Sequence, residues 1–172
     1  MTRKTILSKN QLQHRVAELG AEISRDYTGK SLVLIGVLNG AFIFMADLAR
    51  AITLEDLQLD FIRVSSYGKS SESSGTITLS KDVELDLTGK HVLLVEDIID
   101  TGRTLEWLVQ AFAKKNTASV RICALINKAE RRKVALQPEY SGFDIADGFL
   151  VGYGLDYGED FRHLPDVAHL EL

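Results

Sequence analysis

The chain is short of the residues that build disulfide scaffolds, stiff linkers and membrane spans. It has one cysteine, two prolines and 13 glycines in 172 residues. A lone Cys123 cannot close an internal disulfide, and its place in the apolar run VRICALI reads as a buried strand position rather than a nucleophile. So few prolines and glycines exclude a collagen-like or disordered composition. No apolar run approaches the roughly 20 residues a membrane span requires. The opening MTRKTILSKNQ has no hydrophobic signal core and no small-residue cleavage site, so the expected compartment is the cytoplasm. Excess positive charge is lacking too. The 20 Lys and Arg against 24 Asp and Glu leave a net charge of −4, which argues against a broad nucleic-acid surface. The one basic cluster, Lys128, Arg131, Arg132 and Lys133, reads mainly as a solvated turn, with Lys128 set apart below.

What is present fits one globular domain, with 45% hydrophobic residues and no internal repeat or linker. Ser8 and Gln11 have capping-box spacing. Leu12, Val16, Leu19 and Ile23 then recur at helical intervals, which predicts a helix from about Ser8 to Tyr27. SLVLIGV, Ser31 to Val37, is a short continuous apolar run of the kind a strand buried on both faces shows, and a second helix, Ala41 to Ile52, follows it. Strands are expected at Asp60–Ser66, Thr76–Leu79, His91–Asp97, Val120–Asn127 and Phe149–Leu155. A helix is expected around Leu105, Leu108, Val109 and Phe112. The stretch Tyr67 to Gly75 has almost nothing to bury and reads as a mobile loop. Strands alternating with helices predict an α/β fold, a doubly wound and mainly parallel sheet flanked by helices. In such a sheet ligands bind at the carboxyl ends of the strands.

Chemistry concentrates in HVLLVEDIIDTGRTL, His91 to Leu105, where a buried strand ends in two carboxylates and a third opens a small-residue turn into a helix. Asp100, Thr101, Gly102, Arg103 and Thr104 would offer backbone N–H groups and hydroxyls at a helix N-terminus, a natural cradle for a monophosphate. Glu96 and Asp97 could accept hydrogen bonds from ribose hydroxyls or hold a metal with its waters. A P-loop is excluded, because the full pattern G-x-x-x-x-G-K-S/T is missing.

The segment VLLVEDIIDTGRTL resembles the phosphoribosyl-pyrophosphate signature of type I phosphoribosyltransferases. VLNGAFIFMADL, DFIRVSSYG, LINK and DGFLVGYGLDYGEDFRHL extend the resemblance over nearly the whole chain, toward the hypoxanthine-guanine branch. That resemblance implies a Mg²⁺-dependent enzyme joining a 6-oxopurine to phosphoribosyl pyrophosphate, with a small hood formed from the N- and C-terminal segments and a homodimeric or homotetrameric assembly whose interface includes Asn39 to Leu48. By the same resemblance Glu96 and Asp97 would hold the ribose hydroxyls, and Asp100 to Thr104 the 5′-phosphate. Asp100 would also act as general base or acid near the purine N7. Lys128 would donate to the 6-oxo group, Phe149 would stack on the ring and Leu150 would offer backbone contacts. Asp156 would lie beside the base and help Glu96 and Asp97 hold Mg²⁺ and its waters. Arg162 would meet the pyrophosphate, and Ser66 and Tyr67 would lie on a closing lid.

Pyrophosphate would also meet the backbone amides of Leu38, Asn39 and Gly40, reached through a non-proline cis peptide. The middle position of that loop is often Lys or Arg in relatives and is uncharged Asn39 here. Each of these residues also has a plain structural reading. Asp100 with Thr101 caps a helix, Lys128 is solvated, Phe149 is core, Asp156 is a turn acid, and Arg162 pairs with Glu159 or Asp160. The alternatives in function are a regulatory nucleic-acid-binding protein that keeps this fold as a nucleotide sensor, or a phosphoribosyltransferase for xanthine or another base.

Overall fold

The computed structural model describes residues 1–67 and 76–171. Among the described residues a six-stranded sheet in the order β4-β3-β2-β5-β6-β7 carries three helices. Its strands are β2 (Leu32–Leu38), β3 (Leu57–Tyr67), β4 (Thr76–Lys81), β5 (His91–Ile99), β6 (Ser119–Asn127) and β7 (Tyr140–Asp144). All neighbours are parallel except β3 and β4. Helices α1 (Lys9–Asp26) and α2 (Phe42–Ala51) share one core with one face of the sheet, and α3 (Arg103–Ala113) shares another with the opposite face.

The apolar runs follow from this two-sided cover. Along β2, Leu32 and Leu34 belong to the core with α1 and α2, while Val33, Ile35 and Val37 belong to the core with α3. Successive strand residues point to opposite faces, so a strand covered on both has no place for a polar residue. Helix α1 begins as its sequence predicts. Ser8 Oγ accepts from Gln11 N at 3.2 Å, and Gln11 Oε1 accepts from Ser8 N at 2.8 Å, a reciprocal cap.

Several expectations are corrected. The segment Phe149–Leu155 is not a long strand. Only Leu150–Val151 (β8) pairs, and it pairs antiparallel with β9 (Val167–Glu171), which pairs in turn with β1 (Thr2–Leu7). These three make a separate sheet from the two ends of the chain. The turn after β8 takes positive φ at Gly152, Tyr153 and Gly154, which ends the extended run. Strands β1, β7 and β9 had no expectation. In β1 the first four residues are exposed and polar or charged, so no period-2 pattern marks it.

Candidate active site

Strand β5 runs two residues past the expected Asp97, because Ile98 and Ile99 still pair with Ile126 and Asn127 of β6. Glu96 and Asp97 therefore stand within the sheet's carboxyl edge rather than beyond it. They line neighbouring hollows, with their carboxyls within hydrogen-bond reach of each other. Glu96 lines a hollow of about 190 Å³ with Asp100, Thr101, Gly102 and Thr104. Asp97 lines a second cavity of about 460 Å³. The two remain in contact electrically. Burial, then the charge of Asp97, pushes the Glu96 carboxyl well above its ordinary range. Burial raises Asp97 as well, against hydrogen bonds that include one from Ile98 N at 2.7 Å and against the positive field of Arg162. A cation placed here would relieve that cost by favouring the charged forms.

The turn from β5 into α3 forms around Gly102, whose φ of 85° lies in the left-handed region. A side chain there would also collide, since an added Cβ would lie 2.7 Å from Arg132 Cδ. Arg132 is the strut of this turn. Its Nε donates to the Asp100 carbonyl at 3.2 Å, and its other nitrogens reach the Leu136 carbonyl and Asn127 Oδ1. Lys133 N donates to the Thr101 carbonyl at 2.9 Å. Arg131 Nε lies 2.6 Å from Asp100 Oδ1, an ion contact without hydrogen-bond alignment. The basic cluster is thus not a solvated turn at Arg132, which is half-buried, while Arg131 stays exposed beside Asp100. A single 3-10 turn, Ala129–Arg131, folds the chain back across the β5–α3 turn, and residue spacing gives no sign of that reversal.

The larger cavity is lined by Asp97, Ile98, Asp100, Lys128, Arg131, Gly148, Phe149, Leu150, Leu155 and Asp156. Lys128 is buried, 7% exposed, with Nζ donating to the Gly148 carbonyl at 2.8 Å. An ammonium has three donors, so two remain for a ligand. Phe149 is not core. It is 46% exposed and meets Tyr157 edge to face at 5.4 Å between centroids, leaving ring surface for another flat group. Leu150 is buried in β8. Asp156 accepts from Glu159 N at 2.8 Å and lies 3.1 Å from an Arg162 nitrogen. Arg162 also bonds Glu159 at 3.0 Å and the Gly154 carbonyl at 2.7 Å, so its plain reading as a partner of Glu159 holds beside any ligand role.

Leu38, Asn39 and Gly40 follow β2 at the same edge, with a cis peptide between Leu38 and Asn39. Gly40 is pressed on Asp97: an added Cβ would lie 1.9 Å from Asp97 Oδ2. Ser66 and Tyr67 end β3, and the rest of the expected lid, residues 68–75, lies outside the described residues. Among the described residues no three or more His, Cys, Asp or Glu converge as a closed metal cage. The acids present fit a hard cation that takes most of its ligands from substrate oxygens and water.

This arrangement of acids, glycine turn and half-open aromatic cavity has close counterparts. Residues 2–158 match the family model described as phosphoribosyl transferase domain. The chain belongs to the phosphoribosyltransferases, in the hypoxanthine-guanine branch. The hypoxanthine-guanine phosphoribosyltransferase of Mycobacterium avium is 45% identical over 98% of this chain and 86% of its own. That of Aquifex aeolicus is 44% identical over 98% of this chain and 94% of its own. Among solved structures, the Bacillus anthracis hypoxanthine-guanine phosphoribosyltransferase superposes with a TM-score of 0.93 at 46% identity, covering 98% of both chains. A hypoxanthine phosphoribosyltransferase from Staphylococcus aureus gives 0.94 at 39%, covering 98% of this chain and 91% of the other. The protein is accordingly a phosphoribosyltransferase enzyme with the type I fold. No helix among its described residues is long and apolar enough to cross a membrane.

Proposed function

We propose that this phosphoribosyltransferase is a cytoplasmic salvage enzyme that transfers the 5-phosphoribosyl group of phosphoribosyl pyrophosphate to N9 of hypoxanthine or guanine, releasing pyrophosphate. The observation that carries the reading is the pairing of buried Lys128 with half-exposed Phe149 across one cavity, with Asp100 beside them. Two free ammonium donors suit a 6-oxo acceptor, and an open ring face suits a flat heterocycle. Backbone at Leu150 would complete the base site, and Asp156 would lie beside it. Asp100 would hold or return the proton at purine N7.

Thr101 to Thr104, at the head of α3, would take the 5′-phosphate through amides and hydroxyls. Glu96 and Asp97 would accept from the ribose hydroxyls. Leu38, Asn39, Gly40 and Arg162 would face the leaving diphosphate. Mg²⁺ would be held by Glu96, Asp97 and Asp156 together with water, and when bound it supplies neutralising charge to the diphosphate. Little covalent chemistry falls to the protein: it orients two ligands, withdraws water and holds one proton. The three-stranded sheet of the chain ends would be the hood over the base, in a single catalytic domain, and Ser66 and Tyr67 would belong to the lid. A homodimer or homotetramer through Asn39 to Leu48 would cover Phe42, which is 43% exposed at the head of α2.

The test is an ultraviolet assay with phosphoribosyl pyrophosphate, Mg²⁺ and a panel of bases. Nucleotide should form with hypoxanthine and guanine and not with adenine or pyrimidines. Turnover should vanish on chelation and return with Mg²⁺. Equal use of adenine, or full turnover after exhaustive chelation, would contradict the reading.

A further inference from the structure

We propose that Arg63, acting beside Asn39, supplies the positive charge that receives the leaving diphosphate at the Leu38–Gly40 loop. The inference rests on the transferase reading above. Arg63 lies on β3, directly across from Leu38 of β2 in parallel register, so its side chain rises beside the loop at the carboxyl edge of the sheet. One of its terminal nitrogens donates to Asn39 Oδ1 at 2.7 Å. A guanidinium has donors only, so the carbonyl end of the Asn39 amide must face it and the two N–H groups of that amide point elsewhere. Arg63 and Asn39 together therefore present donors and one fixed charge, the complement of a diphosphate oxygen.

The distribution of charge around the site singles Arg63 out. Arg131 is held by Asp100, and Arg162 by Asp156 and Glu159. Lys128 is buried against the Gly148 carbonyl. Arg63 has a neutral partner, and among the described residues no carboxylate pairs with it. It is an exposed cation, next to a loop whose Gly40 touches Asp97. A diphosphate arriving at that loop meets the Asp97 charge on one side and needs a countercharge on the other. An arginine also suits the task by shape, since its planar fork binds two phosphate oxygens at once.

The test uses the full chain and reads binding apart from turnover. Calorimetry with Mg²⁺-pyrophosphate should show Kd raised about 10- to 100-fold in Arg63→Met, the loss expected for one charge-assisted contact. Arg63→Lys, which restores charge without the fork, should recover most of that loss. The KM for hypoxanthine and the melting temperature should stay near the parent's, because Arg63 is exposed. The inference fails if Arg63→Met binds pyrophosphate as the parent does, if Lys restores nothing, or if affinity for base and pyrophosphate falls together with the melting temperature. Failure of the underlying reading looks different: the parent itself would then form no nucleotide from phosphoribosyl pyrophosphate.

Discussion

Asp100 and Lys128 line one cavity, and the proposed function divides the work on the base between them, which makes each separately testable. Asp100→Asn keeps the shape of the side chain and the turn into α3, but it removes the proton acceptor. The turnover number should fall about 10²- to 10⁴-fold, with KM for phosphoribosyl pyrophosphate little changed. A mutant with the parent's turnover would reduce Asp100 to a turn residue. Lys128→Ala should raise KM for hypoxanthine and guanine far more than KM for phosphoribosyl pyrophosphate, and it should narrow the preference over adenine. A site that leaves a buried donor facing the donors of a 6-amino group discriminates by about 10⁴–10⁵. Steady-state kinetics with the three bases decide it. At this scale the sequence was informative about residue type and silent about partners. The resemblance set Lys128 apart, but nothing in LINKAERRK distinguishes Arg132, half-buried as a strut, from Arg131 on Asp100.

Helix α1 and strand β3 show how elements are held in place. The reciprocal cap between Ser8 and Gln11 satisfies two of the backbone N–H groups that a helix leaves unbonded. Ser8→Ala should destabilise the protein by about 1 kcal/mol in denaturant titration without changing kinetics. Asp60 anchors β3 to the segment after β4, accepting from Glu84 N at 2.7 Å, Leu85 N at 3.0 Å and Phe61 N at 2.7 Å, with Lys81 at 3.5 Å. Burial works against its charge, but those N–H groups and Lys81 outweigh it and hold the carboxyl below its ordinary range. Its contribution to stability is therefore complete above the unfolded value, near pH 4, and is lost as pH falls through the depressed folded value. Asp60→Asn should lower the melting temperature at pH 7 and flatten the acid limb of the stability profile. An acid limb identical to the parent's would remove Asp60 from that role. Helix boundaries were legible because caps and the 3.6-residue period are local. The strands β1, β7 and β9 were not, since each forms only where a distant partner meets it.

The whole molecule should assemble and should tighten on its substrate. Sedimentation is expected to give a dimer or tetramer, and Phe42→Asp, which puts a charge on the exposed ring position of α2, should shift it toward monomer. A parent that sediments as monomer at all concentrations would exclude the interface. Mg²⁺ with phosphoribosyl pyrophosphate should raise the melting temperature in a concentration-dependent way, as any ligand of the folded state does. By itself the sequence determined the doubly wound sheet, its two-sided cover and the order of the chemical groups along it. These follow from hydrophobic period, caps and a motif contiguous in the chain. The tertiary structure alone decided that β1 pairs antiparallel with β9, and that Gly40 packs on Asp97. It also decided that Arg63 meets Asn39, that Arg131 meets Asp100 and that Arg132 turns inward. Those contacts join residues 24 to 169 positions apart, or turn on one 3-10 reversal, and no periodicity in a chain records which distant side chain will stand opposite.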